Sequence, residues 1–130
     1  MSACDAEGPI SPSKLPKPST SFVEQHFPDC KIIKAEYGRY VMGDTYEVDL
    51  DCGVEIDFYK KGEWKLVDCH INAVPEAIVP QAIKKYVADN YSANIITSID
   101  KERTGYEIEL NDDLDLDFDH EGNFIRIDRD

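Results

Sequence analysis

The side chains in this sequence with chemistry to offer are mostly carboxylic acids, and their spacing is regular. Glu47, Asp49, Glu55 and Asp57 alternate with apolar residues, and Glu107, Glu109, Asp115 and Asp117 restate the pattern sixty positions later. Paired carboxylates hydrolyse glycosides when a cleft gives the two acids unlike environments; many equivalent acids on an open sheet do not. The run Asp115-Leu116-Asp117-Phe118-Asp119 has the beginnings of a calcium loop, but its sixth position is not glycine and its twelfth is Arg126 where a bidentate Glu belongs. Its interleaved apolar residues mark a strand instead. His26 falls at a helix end, His70 in a connection and His120 in a tight turn, so no base is paired with a nucleophile and no triad forms. No catalytic residue, cofactor site or metal-ligand set follows, and the chain reads as a non-enzyme.

Sulfur offers little more. Cys30, Cys52 and Cys69 contain no CxxC spacing, which argues against zinc and thioredoxin-type redox chemistry. Cys30 and Cys52 flank a hairpin centred near Val41, at the same end of it, so a bridge between them is geometrically available. The alternative is three half-buried thiols acting as small hydrophobes.

Composition narrows the partners. The chain has 130 residues with 14 Lys and Arg against 27 Asp and Glu, a net charge of -13. Such a surface repels phosphate backbones and anionic lipid heads, which disfavours nucleic-acid binding and electrostatic membrane docking. No apolar run approaches the roughly 18 to 20 residues of a membrane span. The expected partner is a protein, basic in character, and the chain is expected to be a monomer.

The elements that must position the acids occur twice. Tyr46-Glu47-Val48-Asp49-Leu50 returns as Tyr106-Glu107-Ile108-Glu109-Leu110, Val54 to Phe58 as Leu114 to Phe118, Gly62 as Gly122 and Trp64 as Phe124. Upstream, Leu15-Pro16 pairs with Val79-Pro80 and Phe22-Val23 with Tyr86-Val87, at an offset of sixty-four. Each copy opens on a proline that suits a first helical turn and continues with an apolar stripe at helical spacing. Four strands follow, near 31–37, 46–51, 54–59 and 64–69, then near 95–101, 106–110, 114–119 and 124–128. The expected class is α+β: a tandem α-β(4) repeat forming an antiparallel sheet of about eight strands with helices packed on one face. Residues 1–14, small, polar and proline-punctuated, read as a flexible leader, 15–73 as the first copy and 74–130 as the second, all in one compact domain.

Strict alternation sends Tyr46, Val48, Leu50, Val54, Ile56 and Phe58 to the helix side and the acids to the other. Three-residue hairpin connections at Asp51-Cys52-Gly53 and Asn111-Asp112-Asp113 place Asp49 opposite Glu55 and Glu47 opposite Asp57, with Glu109 opposite Asp115 and Glu107 opposite Asp117 in the second copy. Opposed like charges cost something below about 1 kcal/mol per exposed pair. Such a face either keeps the protein soluble or is prepared for cations or a basic partner. Taking Lys60-Lys61-Gly62-Glu63 as the next loop pairs Tyr59 with Trp64. It puts Trp64 and Phe124 among the acids, Ile125 and Ile127 in the core, and Arg126 opposite Asp117. Rings displayed among charges supply binding anchors.

The Leu-Pro and Val-Pro helix openings, His26-Phe27-Pro28, Tyr46-Glu47-Val48, Glu55-Ile56-Asp57-Phe58, Gly62-Glu63-Trp64, Val67-Asp68-Cys69, Gly105-Tyr106-Glu107 and the closing Gly122 to Asp128 together resemble the PepSY-like proteins exported by Gram-negative bacteria. Their fold is similar to that of the β-lactamase inhibitor protein. The resemblance covers Leu15 to Asp128. It implies a tandem α-β(4) fold and an export signal lying before this sequence, hence a periplasmic or cell-surface location, and it makes Cys4 in Met-Ser-Ala-Cys a lipid anchor. Were Met1 the true start, Cys4 would be an ordinary tail thiol. Activity in the family is not established, and Cys30 and Cys52 depart from its usual pattern. The leading expectation is a non-catalytic exported binding module, inhibitory toward a protein partner such as a peptidase. It would act through the open acidic face, with Trp64, Tyr59 and Phe124 as anchors. The alternative is a cation-binding or calcium-stabilised envelope protein that uses the same carboxylates without a specific partner.

Overall fold

The computed structural model describes residues 7–41 and 43–128; Cys4 lies outside them. The described residues form nine strands and two α-helices in an α+β arrangement. In order they are β1 (Gly8–Pro9), α1 (Lys17–His26), β2 (Ile32–Gly38), β3 (Thr45–Leu50), β4 (Glu55–Tyr59), β5 (Trp64–Asp68), α2 (Gln81–Asn90), β6 (Ile96–Glu102), β7 (Gly105–Leu110), β8 (Asp115–Phe118) and β9 (Phe124–Asp128). Within each unit the hairpin-connected strands pair antiparallel in chain order, β2–β3–β4 in the first and β6–β7–β8–β9 in the second. The chain divides into two compact units, Met1–Leu66 and Val67–Asp130, with the boundary inside β5.

In the first unit, the carbonyl of Pro16 accepts from the amides of Ser19 and Thr20 and so starts α1. The helix ends at Phe27, where the following Pro28 disfavours the helical conformation. Val23 and Ser19 face inward. The Ser19 hydroxyl donates to the carbonyl of Gly62 at 3.0 Å, and a Cβ on Gly62 would lie 3.0 Å from the side chains of both Pro16 and Pro18, at a φ of +108°. Only glycine lets this hairpin loop come so close beneath the helix. Phe22 of α1 then meets Phe58 edge-on at 5.7 Å and Trp64 at 6.3 Å. Leu15, Val23, Val48, Leu50, Ile56 and Phe58 are buried.

The second unit uses the same devices. Pro80 starts α2 through its carbonyl, and Ile83 and Val87 face inward. Gly122 lies close under Ala82. Tyr86 meets Phe118 edge-on at 5.4 Å and stacks on Phe124 at 4.6 Å. Cys69 is a buried free thiol pushed up to about 11, first by burial and then by the charge of Asp68.

Residues 8–14, read above as part of a flexible leader, are structured. Gly8 and Pro9 pair with Tyr37 and Glu36 on the edge of β2, the amide of Ile10 donates to the carbonyl of Ala35 at 2.9 Å, and Pro12–Lys14 form a 3-10 turn. This two-residue strand is the ninth. Proline is tolerated there because an edge position asks for no donor.

Cys30 and Cys52 form a disulfide with their Cα atoms 5.7 Å apart. It ties the segment between α1 and β2 to the β3–β4 turn. The loop it closes has a sequence separation of 22, and constraining a loop of that size in the unfolded chain contributes about 3 kcal/mol. Replacing both cysteines by serine is expected to lower the unfolding free energy by about that amount in urea denaturation, with a steeper slope because the unlinked chain exposes more surface when unfolded. A double variant as stable as the parent would remove the bridge from the stabilising interactions.

Candidate functional site

Register places the acids. In β3–β4 Glu47 opposes Asp57 and Asp49 opposes Glu55, and in β7–β8 Glu107 opposes Asp117 and Glu109 opposes Asp115. The cause is in the turns. The amide of Leu50 bonds the carbonyl of Val54 and that of Leu110 bonds Leu114, each across a three-residue loop whose last member, Gly53 or Asp113, has positive φ. Alternation therefore sends these acids away from the buried Val48, Ile56, Ile108 and Leu116.

The aromatic anchors are placed differently from the expectation. Trp64 packs on Phe22 of α1, and Phe124 stacks on Tyr86 of α2 and lies 5.9 Å from Phe118. Both rings thus sit with the helices and not among the carboxylates. The loop is one residue shorter than supposed: the amide of Tyr59 bonds Glu63, not Trp64, and Asp119 bonds Asn123 in the same way. In β8–β9 the register then shifts between Asp117 and Phe118, so that Phe124 opposes Phe118. Ile125, expected in the core, is 46% exposed. Arg126 does oppose Asp117, with Nη2 3.0 Å from its Oδ2. Tyr59 remains on the acidic side, opposite Thr45 and one residue beyond the buried Phe58.

The two acidic faces differ in what surrounds them. In the first unit, Lys34 opposes Asp49 and its Nζ lies 3.6 Å from Glu36. The hydroxyl of Tyr40 donates a hydrogen bond to Glu47, which holds the phenol up at about 12. In the second unit, Asp100 opposes Glu107 from β6 and Asp128 opposes Asp115 from β9. Carboxylate oxygens of Glu107, Asp117 and Asp128 lie within 4.8 Å of one another, as do those of Asp100, Glu102 and Glu107. Glu107 belongs to both groups. Asp117 is only 8% exposed.

Glu107 is pushed up to about 8, first by burial, then by a hydrogen bond with Asp128 and by the charges of Glu102, Asp115 and Asp117. Glu109 is raised as well, by burial and then by Asp115. A carboxyl at about 8 holds a proton at neutral pH, and that proton bridges Glu107 to Asp128 in place of a second negative charge. Asp100, Glu102 and Asp128 were missed from the sequence, although continuing the alternation from β7 into β6 and from β8 into β9 finds them. Tyr40 carried no such signal.

His26 packs on Phe22, His120 bonds the carbonyl of Arg103 at 2.7 Å, and His70 lies 3.8 Å from Asp68.

These shifts and contacts have measurable consequences. Because the Glu107 carboxyl is raised on folding, its contribution to stability is complete below about pH 4.5 and is lost as pH rises through about 8. In chelator-treated protein the melting temperature is expected to fall between pH 6 and pH 8.5, and Glu107→Gln to flatten that slope; an unaltered slope in the variant would place the titration elsewhere. Trp64→Ala is expected to cost about 2 kcal/mol of stability, less than the ~3–5 of a fully buried ring. An unchanged denaturant midpoint would return that ring to the surface.

A family model described as "Putative beta-lactamase-inhibitor-like, PepSY-like" matches residues 44–126. Among curated proteins, none matches the chain. Solved structures do. A Bacteroides vulgatus ATCC 8482 protein, described as a putative periplasmic protein of unknown function, is 32% identical with a TM-score of 0.92, over 95% of this chain and 100% of that one. A protein of Bacteroides thetaiotaomicron, described as a putative calcium-regulated periplasmic protein, is 36% identical with a TM-score of 0.88, over 98% and 100% of the two chains. Another putative periplasmic protein of Bacteroides vulgatus is 37% identical with the same TM-score and coverage. None of these descriptions names a catalytic activity. The match to the family model over more than half of the residues, joined by likeness to these neighbours along nearly the whole length, means that the chain belongs to the PepSY-like, β-lactamase-inhibitor-like family.

Proposed function

We propose that this is a non-catalytic periplasmic module that binds a divalent cation, calcium by ligand type, through the acidic face of its second unit. Each copy of a tandem α-β(4) repeat would lay its helix on one face of its own strands, which leaves the other face for ligand. The carrying observation is the convergence of Glu107, Asp117 and Asp128 oxygens within 4.8 Å of one another. Oxygens so spaced come close to the 2.3–2.6 Å that calcium asks of its ligands when an ion sits between them, and hard carboxylates are the donors it prefers. Arg126 lies 3.0 Å from Oδ2 of Asp117 and holds that carboxylate in place. Glu107 is raised first by burial and then by its acidic neighbours, and a cation among those carboxylates would offset their charge. A periplasmic location agrees with the descriptions of the neighbours, and a calcium response with the description of one of them.

A second reading has one observation in its favour. The first unit keeps Tyr59 and the half-exposed Tyr40 beside Glu47, Asp49, Glu55 and Asp57, a mixture of rings and acids suited to a basic protein partner. Trp64 and Phe124 pack on Phe22 and Tyr86 of the helices, so in this reading Tyr59 serves as the anchor among the acids.

Calcium separates the two. A ligand at one hundred times its Kd stabilises the folded state by about 2.7 kcal/mol, about 8 °C in a protein of this size. In chelator-treated protein, millimolar calcium is expected to raise the melting temperature by that amount, and Glu107→Gln with Asp117→Asn to abolish the rise. A melting temperature indifferent to calcium in the parent protein would end the proposal.

A further inference from the structure

The second unit also holds a cleft of about 360 Å³ between α2, the segment leading into it, and the start of β6. Its walls include Val74, Val79, Val87 and Ile96, with Ala88 exposed at its side. Its volume is within the roughly 300–1,000 Å³ range of small-molecule sites. At roughly 30 Å³ per water-sized group, it takes about twelve such groups.

One polar group on this apolar wall stands out. Lys84 is half-buried and, among the described residues, its side chain makes no ion pair or hydrogen bond. Its neighbour Lys85 pairs with Asp89 at 2.6 Å. Other cations without an ion pair among the described residues, such as Lys14, Lys17 and Lys61, are exposed, whereas Lys84 is half-buried at the cleft, where it supplies the complement to one negative charge.

We propose that this cleft binds a small aliphatic carboxylate, with its chain against Val79 and Val87 and its carboxylate at Lys84. The two ends of the ligand have different tasks. The protein as a whole repels anions, and Glu76, exposed, also borders the cleft. Affinity therefore comes from burying the chain, while Lys84 selects the charged head over a neutral one. Salt screens the overall repulsion, so moderate ionic strength does not abolish binding. The site is separate from the carboxylate cluster on β7–β9 and stands or falls independently of it.

Octanoate, titrated into ¹⁵N-labelled protein and followed by NMR, tests the assignment. Saturable shifts are expected at residues 73–76, 84–88 and 94–96, with a Kd below a millimolar. Lys84→Met is expected to weaken octanoate about tenfold and to leave 1-octanol unaffected. Ala88→Trp, at an exposed helix position, is expected to fill the cleft and block both ligands while the spectrum stays folded. Absence of shifts at 10 mM octanoate, equal affinity for octanol in the parent protein, or undiminished octanoate binding by Lys84→Met would each overturn the proposal.

Discussion

Two short turns control where the charge of this protein goes. A three-residue connection ending in a left-handed residue fixes which strand positions oppose each other, and in both units it sets carboxylate against carboxylate. A shift of one residue would send every acid into the core and every core side chain to water. Burial of Val48, Ile56, Ile108 and Leu116 forbids that shift. The repulsion between the acids is therefore a consequence of the core, sustained by it and relieved locally by a lysine and a tyrosine in the first unit and by an arginine and a retained proton in the second.

The same economy governs how each helix is held. A proline begins the helix, a glycine in the β-hairpin loop permits close approach, and a ring on the helix enters between two rings on the strands. Gly62 is the tightest of these joints in the first unit. It receives the Ser19 hydroxyl on its carbonyl and leaves no room for a methyl group. Such contacts orient the helix while adding little buried area, so they act on geometry more than on total stability.

Much of this is legible in the sequence. Alternation of Glu47 to Asp57 and of Glu107 to Asp117 is a period-two signal that only a half-buried strand satisfies, and the turn residues gave the register. Trp64 and Phe124 were misplaced because face assignment inverts with a single residue of loop length. Gly62 fills the left-handed last position of a three-residue connection just as Gly53 does, so consistent use of that rule would have turned both rings inward. Gly8–Pro9 was invisible for a different reason: a two-residue strand has no periodicity and exists only through its partner on β2. The unequal surroundings of the two acidic faces depend on Asp100, Glu102 and Asp128, which the alternation reaches only when carried into β6 and β9, and on Tyr40, which comes from a loop and gave no signal.

The bridge between Cys30 and Cys52 also bears on how the molecule reaches maturity. Three thiols among the described residues allow three pairings during oxidation, yet the native one leaves Cys69 enclosed, with its proton held to about pH 11. A thiol that is seldom ionised attacks disulfides slowly. Once the core around Cys69 has closed, scrambling through that residue is suppressed, so the order of events in an oxidising compartment decides how much correctly linked material accumulates.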